Sequence, residues 1–359
     1  MLNPLANPKG VKIFCELCPK PAYVQCTNCR AAYYCNYEHQ QHDLEAIHHL
    51  VCHLLAHARK PLPHANSSEE RLQMKHEQQK IRKDILDITL NHSTKLLHEG
   101  RHDHAAPSAL QALKISTDLY GNGSIDSTPA YFALAEANIG LGQLKDAEQY
   151  LSQAQWVVLQ TSDCAPSIKS RLHRDLGLLF MAQGDGQGSK KHFAEDIYHS
   201  SLAYGPHHRK TVGGYFHLGN VFLSENKPDV TLSLHDQVIQ VWNSYLHDII
   251  YSTATPTPSQ QKSELHGLDA AGKAEALHML HRIRELREQH TKTLPPVVNK
   301  VYHTLAMLHY VLQDFHKAYD YVQKALDLSQ QTTNVSQDLI SGLEELMQLS
   351  KVHLATNHQ

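Results

Sequence analysis

Residues 86, 128, 170 and 212 lie 42 residues apart without drift, and residues of matching size recur behind each of them. Numbering each block from its first residue, small side chains return at position 8 (Ala135, Gly177, Gly219) and position 20 (Ala105, Ala147, Ser189), with Ala112 and Ala154 at position 27. Large ones return at positions 4, 7, 11 and 24, among them Tyr131, Leu134, Leu151, Leu176, Phe180, Phe193, Tyr215, Leu218 and Phe222. Position 15 holds Gly100, Gly142, Gly184 and Asn226, residues that tolerate the backbone of a tight turn. Small residues let two helices approach, large ones fill the space between successive pairs, and a turn former separates them, so the block is a helical hairpin repeated as an array. Tyr120-Gly121 and Tyr204-Gly205, 84 residues apart, mark the same period independently. The chain is therefore expected to be an all-α solenoid.

The array has readable ends. Ser67 and Glu70 form a capping-box pattern, which predicts a long helix from residue 68 to about Glu99. Regular repeats then occupy 68–252. A Pro/Ser/Thr-rich loop follows at 253–261, an irregular repeat at 262–298 with one helix from about Leu268 to His290, and a further repeat at 299–333. That last repeat carries Tyr302, Leu305, Ala306, Ala318 and Ala325 at positions 4, 7, 8, 20 and 27. An amphipathic helix over 334–354 would cover the end of the stack.

Ahead of the array, six of the seven cysteines crowd between Cys15 and Cys52. They form Cys15-x2-Cys18, Cys26-x2-Cys29, Cys35-x3-His39 and His48-x3-Cys52. A disulfide scaffold would spread its bridges along the chain, whereas close pairs of soft donors suit tetrahedral Zn²⁺ in a reduced compartment. Eight donors make two sites. A segment of this size has little core of its own, so metal must hold it folded. Only His39 and His48 are separated from a cysteine partner by three intervening residues; His42, His49 and His53 compete for the nitrogen positions and otherwise read as helix-surface residues. A segment Met1–Phe14 precedes the finger at 15–52, and a proline-containing linker over 53–67 follows it.

Composition excludes several classes. A formal charge of -3 gives no broad basic field for nucleic acid. Met1 to Phe14 has no long apolar run or small-residue cleavage site, and no stretch approaches the ~18 apolar residues of a spanning helix, which predicts a cytoplasmic protein without membrane insertion. The 29 histidines scatter over predicted helix surfaces and carry no assigned function. Cys164 has no partner in sequence and reads as structural. Trp156 and Trp242 read as packing residues near the ends of second helices.

The order of donor pairs, with Tyr34 before Cys35 and a glutamine-rich helical stretch before the last His and Cys, resembles the MYND-type zinc finger. In that family the pairs alternate between two metals. The resemblance therefore implies Cys15, Cys18, Cys35 and His39 on one Zn²⁺ and Cys26, Cys29, His48 and Cys52 on the other. His39 stands where most members have Cys, and Leu44, after Asp43, stands where the tryptophan that grips proline-containing peptides is usual. The 42-residue blocks resemble tetratricopeptide (TPR) repeats with lengthened helices.

Such repeats present the first helix of each pair on an inner surface. Positions 5, 9 and 12 should face it: Phe132, Glu136 and Ile139, then Arg174, Leu178 and Met181, then Phe216, Asn220 and Leu223. Apolar residues with isolated charges do not match the Lys/Arg/Asn clamp of chaperone-tail grooves. The finger–array order, with Tyr33-Tyr34-Cys35, the Cys-x3-His departure and Ala154-Gln155-Trp156, is similar to a family of MYND–TPR proteins associated with cilia and the sperm flagellum. That similarity implies a non-enzymatic scaffold whose partner is a protein, plausibly another TPR protein of the axoneme, with no small-molecule substrate. Two other readings are a corepressor adaptor whose finger binds proline-rich peptides, and a relative of SET-type lysine methyltransferases. Against the latter, Asn91-His92-Ser93 is followed by Thr94 where SET sequences have cysteine, inside a predicted helix, and no SET domain is split around the finger.

Overall fold

The computed structural model describes residues 13–60, 67–251, 268–289, 295–330 and 337–356. The expected loop 253–261 lies outside the described residues, as do residues 1–12, 61–66, 331–336 and parts of the irregular repeat. Apart from a two-stranded ribbon, the described residues fold as helices joined by short turns. They divide into two compact units, Met1–Asp185 and Gly186–Gln359.

The first unit opens with the ribbon, β1 (Val24–Gln25) and β2 (Tyr33–Tyr34), paired antiparallel with Val24 opposite Tyr34. Helix α1 (Tyr37–Asp43) starts on Asn36, whose side chain accepts from the His39 amide at 2.9 Å. A π-helical turn, Leu44–His48, leads into α2 (His49–Ala58). Residues 53–58, expected as linker, are therefore helix. The long α3 (Ser68–His98) begins as the capping pattern requires, with the Glu70 amide donating to Ser67 Oγ at 3.0 Å. It pairs with α4 (His102–Tyr120), followed by α5 (Thr128–Gly140) and α6 (Leu144–Gln160), then α7 (Pro166–Ala182). The first helices α3, α5 and α7 neighbour one another in the stack, as inner helices of hairpins do.

The second unit comprises α8 (Gly186–Tyr204), the hairpin α9 (Val212–Ser224) and α10 (Pro228–Tyr251), and α11 (Ala270–Gln289). The hairpin α12 (Pro295–Val311) and α13 (Phe315–Gln330) follows, and α14 (Gln337–Thr356) packs on both of its helices. Its core is built around Trp242, Phe216, Leu246, Leu280 and Ile283.

The 42-residue frame is a phase mark rather than a helix start. Residue 86 lies inside α3, and α7 begins at Pro166, ahead of Ser170, because proline's fixed φ suits the first helical position. The turns carry the period. Gly100, Gly142, Gly184 and Asn226 have φ of 74°, 73°, 82° and 56°, and Gln313 has 63°. At each, two backbone bonds close a Schellman motif, as where the Gly142 amide meets Ile139 O at 3.0 Å and the Gln143 amide meets Asn138 O at 2.8 Å. Between the helices, positions 8 and 20 touch. Ser93 Oγ donates to Ala105 O at 3.3 Å, and Thr231 Oγ1 donates to Gly219 O at 3.1 Å.

Candidate metal centres and their seat on the array

The chain reversals of the finger bring its eight paired donors into two groups: Cys15, Cys18, Cys35 and His39, and Cys26, Cys29, His48 and Cys52, each with its donor atoms within 4.8 Å of one another. In the first, Cys18 Sγ is 3.7 Å from Cys35 Sγ, and His39 Nδ1 lies 3.4 Å from Cys15 Sγ and 3.5 Å from Cys35 Sγ. In the second, Cys26 and Cys52 Sγ are 4.0 Å apart, and His48 Nε2 lies 3.3 Å from Cys26 Sγ and 3.7 Å from Cys29 Sγ. Sulfur atoms this far apart are not disulfides. Donors held about 2.0–2.3 Å from a shared tetrahedral ion stand about 3.3–3.8 Å from one another, so both quartets fit Zn²⁺. Four protein donors on each leave no position for a substrate or water.

The surroundings fix the donors. The Leu17 amide donates to Cys15 Sγ and the Ala31 amide to Cys29 Sγ, both at 3.4 Å, which fixes the direction of these two sulfurs. Asp43 is buried, accepts from Tyr34 Oη at 2.6 Å, and has Oδ2 3.8 Å from Nδ1 of His48, the ring nitrogen facing away from the quartet. At that separation the carboxylate faces the back of the ligand ring without hydrogen-bonding it. Among the competing histidines, His49 turns Nδ1 to within 2.8 Å of Leu44 O in the preceding π-helical turn, and neither His42, His49 nor His53 joins a quartet.

The finger is seated on the first hairpins. Ile47, Val51, Leu55 and Ala58 of the turn and α2 share one buried cluster with Ile85 and Leu86 of α3, Ala112 and Ile115 of α4, and Ala130 of α5. Beside it, Arg59 and Lys114 of α4 both bind the buried Glu16 carboxylate, Lys114 at 3.0 Å, while Arg59 Nη1 also donates to Ala31 O at 2.6 Å. Burial would raise that carboxyl, but the hydrogen bonds and charges of Arg59 and Lys114 hold it below the usual range. His92 and Ala46 O, 2.9 Å apart, add a further tie. Sequence reading missed this seat. Its signal was the spacing Ile47, Val51, Leu55, Ala58, one apolar stripe running out of the finger into the supposed linker.

The expected partner-facing residues divide. Phe132 and Phe216, 3% and 1% exposed, belong to the cores of their units and are not free surface, because at position 5 the neighbouring hairpin closes over the side chain. Leu178 is buried too. Met181 is exposed, and Glu136, Ile139, Arg174, Asn220 and Leu223 are half-buried. Glu136 pairs with Arg171, which also reaches the wholly buried Asp175 at 3.1 Å. Burial raises Asp175 to about 7 even though Arg171 opposes it. Near this network α3, α5 and α7 bound a cavity of about 220 Å³ lined by Leu90, Thr94, Pro129, Phe132, Ile168 and Arg171. Phe132 thus contributes a wall to a recess rather than an exposed ring.

Trp242 is fully buried as expected, but Trp156 is 54% exposed, with its ring edge near Gly123. Cys164 is core, its thiol pushed up by burial.

These observations meet the family comparisons. The MYND finger family model matches residues 15–52, and the tetratricopeptide repeat model matches 128–155 and 300–332. The chain carries a MYND finger and tetratricopeptide repeats. Among solved structures, a crystal structure of nearly identical TPR-like repeats from a Podosopora anserina kinesin light chain is similar, at 13% identity and a TM-score of 0.36, over 69% of this chain and 97% of that one. No helix among the described residues is long and apolar enough to cross a membrane.

Proposed function

We propose that this protein is a non-enzymatic scaffold in which a two-zinc MYND finger caps the array and the first helices of the TPR hairpins dock a protein partner. MYND and TPR modules are typically interaction domains, which supports the scaffold. The observation that carries the rest is the finger's seat: Ile47, Val51, Leu55 and Ala58 are spent on the array's core, and both quartets are closed, so each Zn²⁺ staples rather than reacts. The recess lined by Leu90, Thr94, Ile168 and Arg171 is the partner-facing feature of the first unit, with Glu136 paired to its wall residue Arg171 and Arg174 and Met181 further along α7; Asn220 is the residue offered by the second unit.

The place of action follows from similarity. The finger–array order and the motifs Tyr33-Tyr34-Cys35 and Ala154-Gln155-Trp156 closely resemble zinc finger MYND domain-containing protein twelve, which supports a ciliary or sperm-flagellar axonemal complex with another TPR protein as partner. Leu44, 40% exposed where peptide-gripping fingers carry tryptophan, weighs against the corepressor reading.

Proximity labelling in ciliated or spermatogenic cells tests both parts, using the wild type and a Thr94→Glu/Ile168→Glu variant that keeps its helical circular dichroism. Axonemal proteins should be labelled by the wild type and lost from the variant. Labelling led by nuclear corepressor proteins, or unchanged by the variant, would contradict the proposal.

A further inference from the structure

Where the finger's first helix meets the start of α4, three donors converge that neither quartet uses. We propose that His42, Asp103 and His104 form a third metal site, open to solvent, for a borderline divalent transition metal of the Zn²⁺ type. Their donor atoms lie within 4.8 Å of one another although His42 comes from α1 and the other two from the first turn of α4. The His42 and His104 rings meet edge to face with centroids 5.6 Å apart.

The closest pair has the spacing of ligands. Asp103 Oδ2 is 2.9 Å from His104 Nδ1, a contact that draws the Asp103 carboxyl down, yet the approach is poorly aligned for a hydrogen bond. At such a distance only the direction of approach can be at fault, so the two atoms stand side by side rather than donor to acceptor. Two donors about 2.0–2.1 Å from one ion and at right angles are about 2.9 Å apart, the separation of neighbouring ligands in a five- or six-coordinate sphere. Two imidazoles and one carboxylate select zinc-like ions over Mg²⁺ and Ca²⁺, which prefer all-oxygen shells. The helix N-terminus disfavours a cation, and the Asp103 carboxylate supplies the charge that offsets it.

The set differs from the quartets in being unfinished. The Asp103 side chain is 59% exposed, so water completes the sphere and the ion exchanges readily. Bound there, it would tie α1 to α4, one more link between finger and array.

Cobalt titration of the full-length protein tests the site, because Co²⁺ on thiolates shows charge-transfer absorption and Co²⁺ on imidazole and carboxylate does not. After the thiolate bands saturate, the wild type should take up a further equivalent that adds only weak visible absorption and is the first lost to a mild chelator. The His42→Ala/His104→Ala variant should saturate the same thiolate bands, keep its far-UV spectrum and lack that equivalent. Equal uptake by the variant would assign the extra ion to scattered surface histidines, and no extra uptake by the wild type would mean no site; either overturns the proposal.

Discussion

Single side chains decide how far the repeats tolerate polarity in their cores. Asp175 is fully enclosed, and Arg171 is what compensates it, bridging to Glu136 across the gap between α5 and α7. Arg171→Ala removes the hydrogen-bond partner of that buried carboxyl, which then takes up a proton, and should cost about 1–3 kcal/mol in chemical denaturation. Asp175→Asn should cost less, since the neutral amide needs no counter-charge; equal losses would show that packing, not charge, sets the effect. Buried histidines give the second unit a pH dependence. Burial lowers His235, His303 and His309 to about 4, against about 6.5 unfolded. Between those values the unfolded chain binds protons that the folded one refuses. Their contribution is therefore complete above pH 6.5 and is lost as pH falls toward 4, on the order of 2 kcal/mol per histidine by pH 5. Full-length protein should melt earlier at pH 5 than at pH 7, and His235→Gln should flatten the slope; an unchanged slope would contradict the assignment.

Elements are specified where the backbone itself is demanding. Gly219 of α9 faces α10 so closely that an added Cβ would lie 2.9 Å from the buried His235 Nε2. Gly219→Val should destabilise by about 1–3 kcal/mol through overpacking, visible as a lower denaturation midpoint, while the same change at half-buried Gln237 should cost less. This explains what could be read in advance. A left-handed turn residue every 42 positions and small residues at helix crossings are constraints of the chain's own geometry, so the hairpins show in the sequence, and so do donor pairs whose spacing must meet one ion. Gln313 escaped notice because its φ of 63° is held by a side chain without glycine's signature. Phe132 and Phe216 misled because an apolar residue facing a groove and one covered by the next hairpin look alike in sequence. The finger's seat on α3 and α4 was hidden for a related reason: Leu55 and Ala58 gain their partners from helices beginning beyond a proline-containing linker. Leu55→Ala should cost about 2–5 kcal/mol and loosen the finger from the array. A loss confined to residues 15–58, with the exchange of α3 and α4 unmoved, would refute that coupling.

At the scale of the whole molecule, an array of hairpins leaves a bare apolar face at each end that something must cover. Here a metal-built module covers the first: the thiolate and imidazole quartets replace the hydrophobic core that so short a segment cannot form, with structural zinc worth on the order of 10–16 kcal/mol in small finger peptides. Folding of the cap is thereby linked to metal, and stability of the first hairpins to the cap. The most direct measurement is hydrogen exchange on the full-length protein before and after removal of zinc by a strong chelator. Protection should vanish across residues 15–58 and fall around Ile85, Leu86, Ala112 and Ile115, with the hairpin of α12 and α13 unchanged. Loss confined to the finger, leaving α3 and α4 as protected as before, would contradict the account.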